Sequence, residues 1–136
     1  MKVYVNYNNK KWKQFKIDFE KIANSVFKNQ KAEVSITLTD DKEIHKLNRK
    51  YRNIDKPTNV LSFELDDDVL LGDIYISLDT VMREAKDAKI SVVEHTAHMV
   101  VHGVLHLLGY DHLEENEREE MEALQKSILE KAGYQR

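Results

Sequence analysis

Five of the six histidines lie between positions 95 and 112, and this cluster constrains the fold more than any other feature. At about 100° per residue, four of them share one side of a helix whose remaining circumference is mostly valine and leucine. These four are His95, His98, His102 and His106. A helix that is apolar except for one row of imidazoles is buried, and buried imidazoles need hydrogen-bond partners or a metal ion. The sequence therefore predicts a central buried helix.

The last three histidines have the spacing of a metal site. His102 and His106 project from adjacent turns, and Gly109 ends the helix in time for His112 to return toward the same ion. Three neutral imidazoles suit Zn²⁺, and no fourth protein ligand is evident at similar spacing. A water bound at the open fourth position would have its pKa lowered to about 7, which is typical of catalytic zinc.

Other interpretations of the histidines stay open at this point. The spacing HxxxHxxGxxH is that of the metzincin proteases, but Gly103 replaces the glutamate that is their general base. The three residues could also be hydrogen-bonded core histidines or hold a purely structural metal. His95 and His98 are either core or supporting imidazoles, or they take part in proton transfer or RNA contact.

Periodicity predicts the rest of the fold as an α+β domain, close to α/β, spanning 1–136 as a single unit. Alternating apolar residues indicate four strands, the last two forming an antiparallel hairpin around Asp66, Asp67 and Asp68, so the sheet should be mixed. About five helices are expected. The first spans 11–29, and the second follows Asp40, with Ile44, Leu47 and Tyr51 facing inward. The third follows Ser77 or Asp79, the fourth runs from Ser91 to Gly109, and the fifth spans 114–132. The strands are centred on 3–7, 34–38, 61–65 and 74–76.

The charge of the chain is distributed unevenly. Its formal net charge is −3, but residues 1–60 sum to +7 and residues 61–136 to −10. The basic half could face a nucleic acid, or the charges could lie on solvated helix faces.

The absence of cysteine excludes disulfides and thiolate metal sites. No apolar run is long enough to span a membrane and the first residues do not resemble a signal peptide, so we expect a cytoplasmic protein without a membrane partner.

Four segments together resemble one known family. HGVLHLLGYDH at 102–112 is similar to the signature of the YbeY family, bacterial zinc-dependent endoribonucleases of ribosomal RNA maturation. The other matching segments are LNRKYRNIDKPTNVLSF at 47–63, GDIYIS at 72–77 and EHTAHMVVHG at 94–103. Glu64 is a departure, because the family usually has proline there.

The resemblance implies residue roles as well as a fold. It makes His102, His106 and His112 the ligands of one zinc ion and Arg52 the cationic residue of the active site. It also implies cleavage of single-stranded RNA in processing of the small ribosomal subunit, including maturation of the 3′ end of 16S ribosomal RNA, and in ribosome quality control. A non-catalytic ribosome-assembly factor stabilised by zinc, or a zinc peptidase, is the alternative.

Arg52 also fits a phosphate on chemical grounds. A planar guanidinium can hold a phosphate through two hydrogen bonds and offset the charge that develops on its oxygens. Its alternative is a surface ion pair with Asp55. The neighbouring basic residues are candidate RNA contacts, namely Lys46, Arg49, Lys50 and Lys56. The general base is undetermined: hydroxide on the zinc could suffice, or His98 or Asp111 could accept the proton of a ribose 2′-hydroxyl.

Overall fold

The computed structural model describes residues 1–65, 67, 69–110 and 114–134. Within these ranges the chain forms four strands, one 3₁₀ helix and five α-helices. In chain order these are β1 (Lys2–Tyr7), the 3₁₀ helix (Lys10–Gln14), α1 (Phe19–Val26), β2 (Glu33–Thr39), α2 (Asp41–Arg52), β3 (Val60–Glu64), β4 (Leu70–Ser77), α3 (Leu78–Ala88), α4 (Val92–Leu107) and α5 (Glu115–Lys131). The predicted α+β class is confirmed.

The four strands form one mixed sheet in the order β1-β2-β4-β3. β1 runs parallel to β2 and β2 parallel to β4, because helical segments connect them, whereas β3 pairs antiparallel with β4 as predicted. β3 ends at Glu64, opposite Gly72, so Leu65 is not part of the strand and is exposed. In the connection, the Asp67 carboxylate accepts hydrogen bonds from two following backbone amides, and Asp66 and Asp68 lie outside the described residues.

α4 lies at the centre of the molecule. It packs on β3 and β4 and also contacts α1, α3 and α5. Ser91 caps its start by accepting a hydrogen bond from the Glu94 amide, as the sequence predicts. Most of its residues are buried, including His95 and His98. The prediction of a central buried helix is therefore confirmed.

The predicted first helix at 11–29 is wrong in its extent. Asn9 caps a 3₁₀ helix that stops at Gln14, Phe15 is extended, and Asp18 caps a separate α1 by accepting from the Lys21 amide. Trp12 explains the break, since its indole nitrogen donates to the buried carbonyl of Thr39 and fixes the first segment against β2. The apolar spacing is helical across both segments, but local capping divides them.

α2 begins where it was predicted and points its last turn at the edge of the sheet. Asp40 accepts from the Glu43 amide, and Asn53 ends the helix in the left-handed conformation. The prediction that Tyr51 faces inward is wrong, because 58% of the residue is exposed. Its ring and that of Phe63 on the edge strand β3 are in a T-shaped arrangement, with their centroids 5.4 Å apart.

Asp41 fixes the start of α2 to the β4–α3 corner. Its carboxylate accepts hydrogen bonds from Ser77, Thr80 and Arg83, with oxygen-to-donor distances of 2.6 Å to Ser77 and 2.8 Å to Arg83. Burial alone would raise the pKa of Asp41, but these hydrogen bonds and the Arg83 charge outweigh it and lower the pKa. The orientation of α2, and hence the position of its last residue, Arg52, depends on this contact.

None of the helices in the described ranges combines the length and the apolar character needed to cross a bilayer.

Candidate metal centre

His102 and His106 face each other on adjacent turns of α4. Their Nε2 atoms are 3.0 Å apart, and both side chains are partly accessible from a cleft. Two imidazoles bound to one tetrahedral zinc at about 2.0–2.1 Å would have their nitrogens about 3.3 Å apart. The pair therefore needs only a small separation to hold one ion, and the residues present fit a zinc site.

The third predicted ligand, His112, lies outside the described residues, as does Asp111. Among the residues on either side of that gap, no group of three or more histidine or carboxylate side chains is gathered closely enough to hold a metal. The approach to His112 is nevertheless defined. Gly109, at φ +98°, ends α4, and the amides of Gly109 and Tyr110 donate back to the carbonyls of His106 and Leu105.

Gly103 faces the sheet, where α4 packs against β3 and β4. A Cβ added there would lie 3.0 Å from two atoms of the Ile74 side chain and 3.1 Å from the hydroxyl oxygen of Ser62. The sheet leaves almost no space for a side chain at this position. The glutamate of the metzincin pattern is absent here, and any side chain at this position would have to displace Ile74 and Ser62.

Arg52, the last residue of α2, lines the same cleft as the two histidines of α4. The cleft has a volume of about 370 Å³, and Arg52 lines it together with His102, His106 and the segment 58–62. The Arg52 side chain makes no ion pair or hydrogen bond within the part of the chain that the structure describes. The alternative partner, Asp55, instead pairs with His45 at 2.8 Å.

The other basic candidates lie on the exposed surface of α2 and the loop after it, outside the cleft lining. They are Lys46, Arg49, Lys50 and Lys56. The hydrogen bond from His45 and the charge of Arg49 lower the pKa of Asp55. Lys50 places its Nζ 5.1 Å from the ring centroid of Tyr51. The structure therefore brings one predicted cation to the histidines and leaves four on the adjoining surface.

His95 and His98 line a second, larger cavity of about 700 Å³ that shares His102 with the first. The Nε2 atom of His95 lies 2.9 Å from Glu84 Oε1, which also accepts from Asn59. These contacts place His95 in a hydrogen-bonded network beside the cavity.

Sequence reasoning missed Gln125 on α5. The residue is 4% exposed, and its carboxamide contacts both His98 and His102. A signal was available, because Gln125 falls on the same helical stripe as Met121, Ile128 and Leu129, all of which are buried. A polar side chain on an inward stripe needs a buried partner, and the histidines predicted on the buried helix α4 are candidates for that partner.

The chain is similar to proteins of one known family. The family model described as Endoribonuclease YbeY matches residues 4–133. A protein of that name from Rhizorhabdus wittichii is 50% identical over 115 residues, covering 75% of this chain and 68% of the relative, and one from Wolbachia pipientis is 48% identical over 128 residues, covering 92% and 78%. A solution structure of a Thermotoga maritima protein superimposes with a TM-score of 0.67 at 29% identity, covering 96% of this chain and 88% of that one. With a match over nearly its whole length, the chain belongs to the Endoribonuclease YbeY family.

Proposed function

We propose that this protein is a zinc-dependent endoribonuclease that cuts single-stranded RNA in the cleft between α2 and α4. The relatives are named endoribonucleases, which gives the class of reaction. We further propose that its substrate is ribosomal RNA of the small subunit, including the 3′ end of 16S ribosomal RNA, that it serves ribosome quality control, and that it acts in the cytoplasm.

One observation carries the proposal. A guanidinium from residue 52 and two imidazoles from residues 102 and 106, far apart in sequence, line the same small cleft. A phosphodiester needs a cation for its anionic oxygens and a group that activates a nucleophile or polarises phosphorus. The cleft supplies the first as Arg52 and the ligands for the second as His102 and His106.

The residues of the cleft and of the adjoining surface have different roles in cleavage. His102, His106 and His112 would hold the zinc, which when bound supplies a Lewis acid and an activated water. Arg52 binds the scissile phosphate through its planar N–H groups and offsets the charge that grows on the oxygens during cleavage. The exposed lysines and arginine of 46–56 would attract the flanking phosphates.

Two rival functions make different demands on this site. A zinc peptidase of the metzincin pattern would need a general base directly after the first ligand, and Gly103 at that position has no side chain to supply one. A non-catalytic assembly factor would need the metal only for its fold, and Arg52 would then have no reason to lie in the cleft without an ion-pair partner among the described residues.

The decisive experiment measures cleavage of an unstructured, end-labelled RNA by the purified protein. We expect chelation to abolish cleavage and added zinc to restore it, whereas a duplex of the same sequence and an unfolded protein substrate remain uncut. His106→Ala should abolish cleavage while circular dichroism and thermal unfolding show a folded protein.

His45→Ala is the matched control, since His45 is a half-buried histidine on α2 that pairs with Asp55 and does not line the cleft. It should cut at the wild-type rate. Undiminished cleavage by His106→Ala would contradict the proposed site, and zinc binding without any RNA cleavage by the wild type would favour the assembly factor.

A further inference from the structure

A second cavity, the α4–α5 cavity, adjoins the cleft that Arg52 and the two histidines line. Its volume is about 700 Å³, and its lining comes from the start of β3 and from α3, α4 and α5. We propose that this cavity binds the nucleotide next to the scissile phosphate and that Arg118 of α5 holds the following phosphate of the strand. The inference rests on the proposed function, because it assigns a second subsite to the same RNA.

The cavity and the cleft have three lining residues in common. Asn59, Val60 and His102 border both spaces. An RNA that is cut within its length extends in both directions from the scissile phosphate, so a neighbouring nucleotide has to lie against the surface that borders the cleft. Small-molecule sites have volumes of about 300–1,000 Å³, and the cavity lies within that range. It is therefore placed and sized for a nucleotide beside a phosphate bound at Arg52.

Hydrogen bonds fix the polar wall where the cavity meets the cleft. The Asn59 carboxamide donates to Glu84 Oε1 at 2.9 Å, and its oxygen accepts from the Val60 amide at 2.7 Å. Glu84 Oε1 also lies 2.9 Å from His95 Nε2. The Glu84 side chain is nevertheless 41% exposed, and a carboxylate has about four lone-pair sites. It can therefore accept a further hydrogen bond from a hydroxyl or amino group of a nucleoside.

Two methionines form an apolar part of the same lining. Met99 on α4 is 4% exposed and Met121 on α5 is 2% exposed, and both border the cavity. The thioether of methionine is polarisable and makes favourable contacts with aromatic rings. A nucleobase is a flat aromatic ring with polar edges, so the methionines suit its face and Glu84 suits its edge. This combination fits a nucleoside.

Arg118 is an unpaired cation on an acidic stretch of helix. It is the only basic residue of 115–125, which contains five glutamates, and Glu114 and Glu122 are each four positions away, at a spacing where helical ion pairs form. Neither Arg118 nor Lys126 makes an ion pair with a residue that the structure describes. Both are exposed and line the cavity. The guanidinium is therefore available to hold a phosphate through two N–H donors.

The phosphate bound by Arg118 does not react, which separates the role of Arg118 from that of Arg52. A contact that is equally strong in the ground state and the transition state lowers KM and leaves kcat unchanged. Arg118→Ala should therefore raise KM for an unstructured RNA about 10-fold, with kcat within about twofold of the wild type. Arg118→Lys should recover part of the loss, because it restores the charge but not the pair of donors.

The first test is steady-state cleavage by zinc-loaded protein, with zinc content and thermal unfolding checked for each variant. Lys131→Ala is the matched control, since it removes a positive charge from an exposed position of α5 outside the cavity. We expect it to keep the wild-type KM. Equal KM values for Arg118→Ala and Lys131→Ala, or a lower kcat with unchanged KM for Arg118→Ala, would overturn the inference.

The second test locates the nucleobase without relying on cleavage. RNAs that carry a photoreactive thiouridine at successive positions are bound to the wild type and irradiated, and the crosslinked peptides are identified by mass spectrometry. We expect crosslinks to the segment 118–126 of α5, which lines the cavity. Crosslinks confined to α2 and the loop after it would place the strand elsewhere and overturn the inference.

Failure of the proposed function would look different. If the wild type binds RNA but does not cut it, the endoribonuclease proposal fails, while crosslinks to 118–126 still support the subsite. If the wild type cuts RNA but no crosslink reaches 118–126, only the subsite fails. If the wild type binds no RNA at all, both fail together.

Discussion

Replacement of Arg52 by alanine separates catalysis from folding at the proposed site. Arg52 is the last residue of α2, is exposed, and makes no ion pair with the other described residues. Its loss should therefore change the free energy of unfolding by less than about 0.5 kcal/mol. If its guanidinium stabilises charge in the transition state, cleavage should fall by about 100–1,000-fold, equivalent to about 2.7–4 kcal/mol.

The assay is single-turnover cleavage of an unstructured RNA by zinc-loaded protein, with zinc content and urea unfolding measured on the same samples. Arg52→Lys should fall between wild type and alanine, because a point charge attracts phosphate but lacks the planar pair of donors. Arg49→Ala is the matched control: it removes the same charge one turn earlier on α2, outside the cleft. Equal rates for Arg52→Ala and wild type, or equal losses for both arginines, would refute the assignment.

Four further perturbations test separate parts of the structure. His102→Ala should reduce zinc from about one per chain to a small fraction by elemental analysis, and unchanged zinc would contradict its role as a ligand. Alanine at both Lys50 and Lys56 should flatten the dependence of log affinity for RNA on log salt by about one to two, and an unchanged slope would move the RNA path elsewhere. Asp41→Asn should lower the free energy of unfolding, measured in urea, by about 1–2 kcal/mol at neutral pH. The pKa of Asp41 is lower in the folded protein than its unfolded value near 3.8. The difference between the two proteins is therefore full above that unfolded pKa and disappears as the pH falls through the folded pKa. Gly103→Glu should destabilise the protein by about 3 kcal/mol or more and create no peptidase activity, since it both overpacks the helix–sheet contact and buries a carboxylate.

The elements that periodicity and capping determine together were predictable. The mixed sheet, the β3–β4 hairpin and α4 from Ser91 to Gly109 follow from apolar alternation, a capping box and a terminal glycine, and the structure confirms them. The extent of the first helix was not predictable from spacing, because Trp12 is fixed by a hydrogen bond to Thr39 that only the fold creates. Tyr51 was misplaced because the pattern of one helix does not reveal where the sheet beneath it ends.

The candidate site divides in the same way. The proximity of His102 to His106 follows from four-residue spacing on any helix, whereas their proximity to Arg52 depends on the packing of α2 and on its anchor at Asp41. Gln125 was visible as a polar residue on an apolar stripe, but its two histidine partners depend on how α5 crosses α4. His112 remains a prediction, since it lies outside the described residues.

The contact at Gly103 also bears on how such a fold can change its chemistry over time. The glycine codons GGA and GGG become glutamate codons by a single base change, so from either of those codons the metzincin residue is one step away. The packing of α4 on the sheet opposes this substitution, because Ile74 and Ser62 lie where the new side chain would enter. Smaller residues would have to appear on β3 and β4 first, each leaving a void that costs stability before any benefit. A change from RNA cleavage to peptide cleavage on this scaffold would therefore need substitutions in a fixed order, because Ile74 and Ser62 would have to be replaced before Gly103.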